Sequence, residues 1–217
     1  MRYAVEELIF GNYLPEMFDA LPQFHLARDE LEQHRRAIDE IGKIICAHGF
    51  EDVLGINLLH KHFELRSDEI IVRSFIDDSE CRMRPEPLSA AESWAIPYLW
   101  RYAELDGAWS WRPLEFLAVN ATLPVDYLML SYASPLLRRI GEHLVSQRLQ
   151  DTFGIAGLYS KQGFRQRKGL TTLETTDEAN RVLTVKSVPT AAIDVLEDTT
   201  ETLWVFSRNQ AREKYRA

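Results

Sequence analysis

The sequence predicts an α+β fold, with a mostly antiparallel, bent sheet of hairpins and two principal helices packed on one face. Two observations predict it. Apolar residues recur at helical spacing in two long segments, and the other apolar segments are short, β-branched or aromatic, and separated by turn sequences. Hairpins and helices that are segregated along the chain, without regular β-α-β alternation, favour this fold class.

The first helix is predicted from about Glu30 to His48. Its apolar face consists of Leu31, Ile38, Ile41 and Ile45. Asp29 is the expected N-cap, Glu32 would complete a capping box, and Gly49 is the expected stop signal.

The second helix is predicted from Ser134 to about Gln150. Ser134 is the expected N-cap, and Pro135 suits the first helical position. The apolar face consists of Leu136, Ile140, Leu144 and Leu149.

Two hairpins precede the second helix. The first would join residues 53–65 to residues 69–76 through Arg66-Ser67-Asp68, and the second would span residues 94–119 around an Asp106-Gly107 turn. Pro97 and Pro113 predict an edge position or a bulge in the second hairpin. Residues 77–93, with two prolines and mixed charges, are interpreted as a loop that covers a pocket.

Three later strands are predicted at residues 153–160, 181–188 and 202–207. The polar stretch 163–180 is interpreted as a connection between the first two. We expect one domain over residues 1–217, with a loosely packed segment 1–25 and a frayed tail 208–217.

An internal similarity links residues 54–61 to residues 153–161. At one constant offset Gly55 and Ile56 coincide with Gly154 and Ile155, and His60 with Tyr159. Two interpretations stay open: two unrelated helix-to-strand turns that each need a glycine, or a duplicated helix-strand unit in one sheet.

Composition limits the classes of function. Of 217 residues 46% are hydrophobic and 27% charged, which is typical of a globular domain, and the net charge of -8 disfavours a nucleic-acid partner. No apolar run approaches the roughly 18 residues of a membrane span, and the acidic residues 1–20 do not resemble a signal peptide. With two cysteines, Cys46 and Cys81, a cytoplasmic location fits best.

The string His60-Lys61-His62-Phe63-Glu64 is the main site candidate. In a strand His60, His62 and Glu64 share one face, and two imidazoles with a carboxylate suit Zn, Fe or Mn. Because Glu64 is far from His60 along a strand, Glu69 is an alternative third ligand if the hairpin loop has four residues. His60 and His62 could also act as acid and base without metal, or only form structural hydrogen bonds.

The aromatic residues are the second candidate feature. Trp100, Trp109 and Trp111, with Tyr159, are predicted either to wall a ligand pocket or to belong to the core. The sign of the histidine pKa shifts stays open, because burial lowers the pKa whereas a nearby carboxylate raises it.

The leading hypothesis is a small-molecule enzyme or ligand-binding protein whose pocket is built on the His-x-His strand and walled by aromatic residues. Whether the pocket contains a divalent metal ion, Zn, Fe or Mn, stays open at this point. The alternative is an acidic interaction module, of the inhibitor or immunity type, whose histidines are structural. We expect a small-molecule ligand and neither membrane nor nucleic acid as partner. The sequence leaves open whether the protein is an enzyme and whether it forms a homo-oligomer.

Overall fold

The computed structural model describes residues 13–91, 94–119, 129–158, 169–193, 199–207 and 210–215. Its strands are β1 (Leu54–Leu58), β2 (Glu69–Phe75), β3 (Glu80–Pro87), β4 (Ala95–Leu105), β5 (Ala108–Ala118), β6 (Phe153–Gly157), β7 (Leu170–Asp177), β8 (Val182–Pro189), β9 (Leu203–Ser207) and β10 (Gln210–Tyr215). Its helices are α1 (Pro15–Asp19), α2 (Phe24–His48), α3 (Leu88–Ala91), α4 (Ser134–Gln147) and α5 (Thr190–Ile193), with a 3-10 turn at Leu130–Tyr132.

The ten strands form one sheet in the order β10-β9-β1-β6-β4-β5-β2-β3-β8-β7. Among the described residues, every strand pair is antiparallel except β2 with β5. The sheet is curled, and the predicted α+β class is confirmed at this level.

Helix α2 confirms the first predicted helix but begins earlier, at Phe24. Its N-cap is Gln23 and makes no side-chain cap, so the capping box predicted at Asp29 is wrong. The buried Ala27 extends the apolar face upstream, and this packing outweighs the local capping signal. At the other end Gly49 has the predicted left-handed conformation, with φ of 75°.

Helix α4 begins at Ser134 as predicted, although Ala133 holds the N-cap position. It ends at Gln147, because Arg148 adopts a φ of 59°. Helices α2 and α4 contact each other, and α2 also contacts β1 and β9. The Trp111 indole N–H donates to the Leu137 carbonyl oxygen at 3.0 Å, which ties β5 to α4.

The predicted first hairpin is wrong. Strand β1 pairs with β6 and β9, whereas β2 pairs with β3 and β5. A turn does form where it was predicted, with the Glu69 N–H donating to the Arg66 carbonyl oxygen, but it leads the chain to a distant part of the sheet. Turn chemistry is local, and the strand partner is chosen by burial of both faces.

The predicted loop over residues 77–93 is also wrong. Residues 80–87 form β3 between β2 and β8, and α3 follows. Cys81 and Met83 point into the core, while Arg82 and Arg84 are exposed. The alternation typical of a strand is therefore present, but charges on the outer face and two prolines conceal it.

The second hairpin is confirmed as β4 and β5. Asp106 and Gly107 have φ of 53° and 78°, which is the left-handed pair that a tight hairpin turn requires. Both strands lie inside the sheet, so the predicted edge position is wrong, whereas the pairing shifts register beside Pro97 as a bulge would.

The later strands are confirmed as β6, β8 and β9, but β7 and β10 were not predicted. Strand β7 occupies part of the stretch interpreted as a polar connection, and β10 occupies part of the tail expected to fray. In the segment expected to pack loosely, Phe18 and Leu21 are buried in the core, and residues 1–12 lie outside the described residues. Within the described part of the chain, no helix has both the length and the apolarity to cross a membrane.

Candidate functional site

The histidines lie on an irregular segment that follows β1, residues 59–65. Two contacts with the turn after α1 hold this segment: the Lys61 N–H donates to the Pro22 carbonyl oxygen at 2.9 Å, and the Leu65 N–H donates to Asp19 Oδ1 at 2.9 Å. The Lys61 ammonium also donates to the Asp19 carbonyl oxygen at 2.6 Å. The histidines are therefore fixed by the α1–α2 turn and not by a continuing strand.

His60 is buried, and its two ring nitrogens have different surroundings. Nδ1–H donates to the Leu58 carbonyl oxygen at 2.9 Å, whereas Nε2 is buried without a hydrogen-bond partner. Burial lowers the pKa of His60 to about 4, although the bond to Leu58 opposes the shift. The ring is therefore neutral at pH 7, with the Nε2 lone pair available.

His62 lies edge-on to His60, with 4.6 Å between ring centroids. Its Nδ1 is 3.0 Å from Thr176 Oγ1, and its Nε2 is 3.9 Å from a carboxylate oxygen of Glu174. Burial lowers the pKa of His62 well below its usual range, and His60 and Arg73 lower it further. When Nδ1–H donates to Thr176, Nε2 keeps its lone pair on the Glu174 side.

Glu174 on β7 is the carboxylate that meets the two histidines. Burial raises its pKa, while Arg73 opposes the shift. One ligand atom each from His60, His62 and Glu174 lie within 4.8 Å of one another. Ligands of one tetrahedral zinc ion lie about 3.4 Å apart, so the most distant pair of these atoms must converge by up to about 1.4 Å to bind an ion.

The two carboxylates predicted as third ligand lie elsewhere. Glu64 is exposed and pairs with the Lys61 ammonium at 2.7 Å. Glu69 forms a bidentate pair with Arg181 at 2.6 and 2.9 Å, which holds its pKa at about 2. Neither carboxylate joins the histidines, because the hairpin that would have placed them there does not form.

The predicted aromatic wall does not line the cavity beside the histidines. Trp100 and Trp111 are fully buried in the core, and the half-exposed Trp109 stacks on Tyr102 with 5.4 Å between centroids. Tyr159 lies outside the described residues.

A cavity of about 930 Å³ opens beside His62 and Glu174. Its other lining residues include the apolar Phe24, Phe63 and Leu173 and the charged Lys61, Glu64 and Arg181. The cavity has the size expected of a small-molecule site, and the two candidate ligands form part of its wall.

A buried polar cluster neighbours the site, centred on Arg73 of β2. Its guanidinium lies 4.2 Å from the Tyr98 ring centroid and donates to the Tyr98 hydroxyl at 2.9 Å. Burial raises the pKa of nearby Glu115 to about 7, although Arg73 lowers it. The sequence offered no signal for this cluster, because its members lie on separate strands.

Glu174 is the candidate ligand that sequence reasoning missed. A signal was present, since four of residues 171–176 are threonines, and this β-branched residue favours strands. Recognising that strand would still not have placed it beside residues 59–65. No family model, curated protein or solved structure matches this chain.

Proposed function

We propose that this chain binds a divalent metal ion through His60, His62 and Glu174, and holds or transforms a small molecule in the adjacent cavity. The observation that carries the proposal is the buried Nε2 of His60, which has no hydrogen-bond partner. An unpaired buried polar atom costs free energy, and an ion at this point would remove that cost.

The outer contacts of the histidines support the proposal. Histidines that bind metal usually donate the other ring N–H to a carbonyl or to another polar group, which fixes the ring and directs the lone pair. Here Leu58 and Thr176 supply those partners for His60 and His62. Both imidazoles are neutral near pH 7, as ligation requires.

Three protein ligands would leave at least one coordination position open. Since His62 and Glu174 line the cavity, that position would face the space where a small molecule fits. An ion there supplies a Lewis acid or an activated water, so hydrolysis and simple ligand capture both suit the site. We also propose that both principal helices pack on one face of the sheet, which their mutual contact supports.

Thermal melting of the full chain, stripped of metal and then titrated with Zn²⁺, Mn²⁺ or anaerobic Fe²⁺ at pH 7.5, tests the proposal. An ion at 100 times its Kd adds about 2.7 kcal/mol to the free energy of unfolding, which for this chain length raises Tm by roughly 5–10 °C. We expect His62→Ala and Glu174→Gln to remove the shift.

Glu64→Gln is the matched control, because it makes the same chemical change at the carboxylate that the sequence alone predicted as ligand. It should keep the full shift, as should His143→Ala on α4. Absence of a shift with all three ions would contradict the proposal, and loss of the shift in Glu64→Gln but not in Glu174→Gln would contradict the ligand set. The histidines would then be structural, as in the alternative of an acidic interaction module.

A further inference from the structure

The order of elements repeats once along the chain. The first series is α2, β1, β2, β3, α3, β4 and β5, and the second is α4, β6, β7, β8, α5, β9 and β10. Helix matches helix and strand matches strand through seven successive elements. The local similarity around Gly55 and Gly154 is therefore part of a correspondence that covers most of the described chain.

Buried positions of the two long helices correspond at the offset that relates Gly55 to Gly154. The corresponding residues are Ile38 and Leu137, Ile41 and Ile140, Gly42 and Gly141, and Ile45 and Leu144. All of these residues are buried in their helices. Helices α2 and α4 therefore present the same apolar face to the core.

Strand pairing identifies a second set of corresponding residues. Ile56 of β1 pairs with Trp204 of β9, and Ile155 of β6 pairs with Trp100 of β4. Both tryptophans are completely buried and follow a leucine. Each copy thus lends its fourth strand to the first strand of the other copy.

Corresponding residues also meet face to face at two points of the sheet. Ile56 pairs antiparallel with Ile155, and Arg82 of β3 pairs antiparallel with Thr184 of β8. Arg82 corresponds to Thr184 because each lies five residues before the proline that ends its strand, Pro87 in β3 and Pro189 in β8. An antiparallel pair centred on equivalent residues is the signature of a two-fold axis, and here two such pairs occur.

The helices confirm the exchange, since each one packs on a strand of the other copy. A Cβ atom at Gly42 would lie 2.2 Å from the Phe206 ring, and one at Gly141 would lie 2.6 Å from the Tyr102 ring. Phe206 on β9 and Tyr102 on β4 stand two residues after the corresponding tryptophans. The same close contact is therefore made twice, once by a helix of the first copy on a strand of the second and once by a helix of the second copy on a strand of the first.

We infer that the chain is a tandem duplication folded as a covalently joined, strand-exchanged dimer, and that its candidate site is assembled from both copies. His60 and His62 belong to the first copy and Glu174 to the second. A divalent cation bound there would tie one copy to the other. The site part of this inference rests on the proposed function, whereas the duplication does not.

The place that the two-fold symmetry relates to the His60, His62 and Glu174 site has different residues. Glu174 of β7 pairs with Val185 of β8, and Arg73 of β2 pairs with Met83 of β3. Because Met83 corresponds to Val185, Arg73 corresponds to Glu174. In the sequence His60 and His62 align with Tyr159 and Lys161. A cation site needs anionic or neutral donors, so Arg73 at the position that corresponds to Glu174 disfavours a second ion site there.

Two double-mutant cycles in the full chain test the exchange. Gly42→Ala and Gly141→Ala should each lower Tm by roughly 5 °C, because the added methyl group overpacks an aromatic ring. Phe206→Leu should recover most of the loss in Gly42→Ala, and Tyr102→Leu should do so in Gly141→Ala. The crossed combinations should be additive, because those residues do not share the contact.

Additive behaviour of either matched pair, or rescue by a crossed pair, would overturn the exchange. Where a variant does not fold, hydrogen exchange of the unmodified chain decides instead. We expect β1, β6, β4 and β9 to open together as one unit that contains both copies. Exchange of β1 and β4 at a rate separate from that of β6 and β9 would overturn it.

Zn²⁺ is the probe for the composite site. It should bind at one ion per chain and slow hydrogen exchange both in residues 59–65 and in β7. Protection confined to residues 59–65 would overturn the cross-copy site while leaving metal binding in place. No zinc effect at all would remove the proposed function and this site, and the cycles would still decide the strand exchange.

Discussion

At the scale of single residues, protonation of His60 makes the stability of the folded state depend on pH. Its pKa of about 4 lies below the value of about 6.5 in an unfolded chain, because burial disfavours the charged ring. Above pH 6.5 the ring is neutral in both states, and it costs no stability. As the pH falls toward 4 the unfolded chain takes up the proton first, and stability is lost.

We therefore predict that His60 alone costs the folded state roughly 1.5 kcal/mol between pH 6.5 and pH 5. Chemical denaturation of the wild type and of His60→Gln at both pH values measures this. The free energy of unfolding should fall more steeply in the wild type by about that amount. Equal slopes for the wild type and His60→Gln would contradict burial of a neutral ring.

At the scale of elements, β3 and β7 show why polar strands escape detection. Strand β3 alternates between buried and exposed residues over its first half, but the exposed residues there are charged and the strand contains two prolines. Strand β7 is rich in threonine and has few apolar residues. Pairing with neighbours on both sides makes β3 a strand nonetheless. A segment interpreted as a mobile cover is in fact a fixed part of the sheet.

This correction predicts that β3 resists proteolysis. Trypsin cleaves after arginine only where the backbone can leave its hydrogen bonds, and Arg82 is paired with strands on both sides, opposite Ser74 of β2 and Thr184 of β8. Mass spectrometry of the first fragments in a limited digest should show no cleavage after Arg82. Early cleavage there would support the earlier interpretation of a mobile cover.

At the scale of the whole molecule, one apolar cluster extends from Phe18 to Phe206 and includes both long helices and both copies of the repeated unit. Such a shared core, with strands exchanged between copies, does not divide into independently stable halves. Four of the five tryptophans, including Trp100, belong to the first copy, and Trp204 belongs to the second.

We predict a single unfolding transition. Far-ultraviolet circular dichroism and tryptophan fluorescence should give the same Tm for the wild type. The two methods should also agree with each other for Trp100→Phe and for Trp204→Phe. Two resolved transitions, or probes that disagree for one variant only, would show that the copies unfold independently.

What the sequence could determine by itself was local. The helical periodicity of α2 and α4, the Gly49 stop, the Asp106-Gly107 turn and the class of the fold all follow from spacing along the chain. His60 and His62 were also identifiable as a candidate pair, because two imidazoles beside an apolar strand are rare and chemically versatile.

Only the tertiary structure decided which strands pair and which carboxylate meets the histidines. The turn after residue 65 suggested Glu64 or Glu69, but β1 enters the middle of the sheet and its neighbours come from the second half of the chain. Glu174 lies beside the histidines although more than a hundred residues separate them in the sequence. Strand partners are selected by burial on both faces and by the repeated unit's symmetry, and neither property can be found in a short window of sequence.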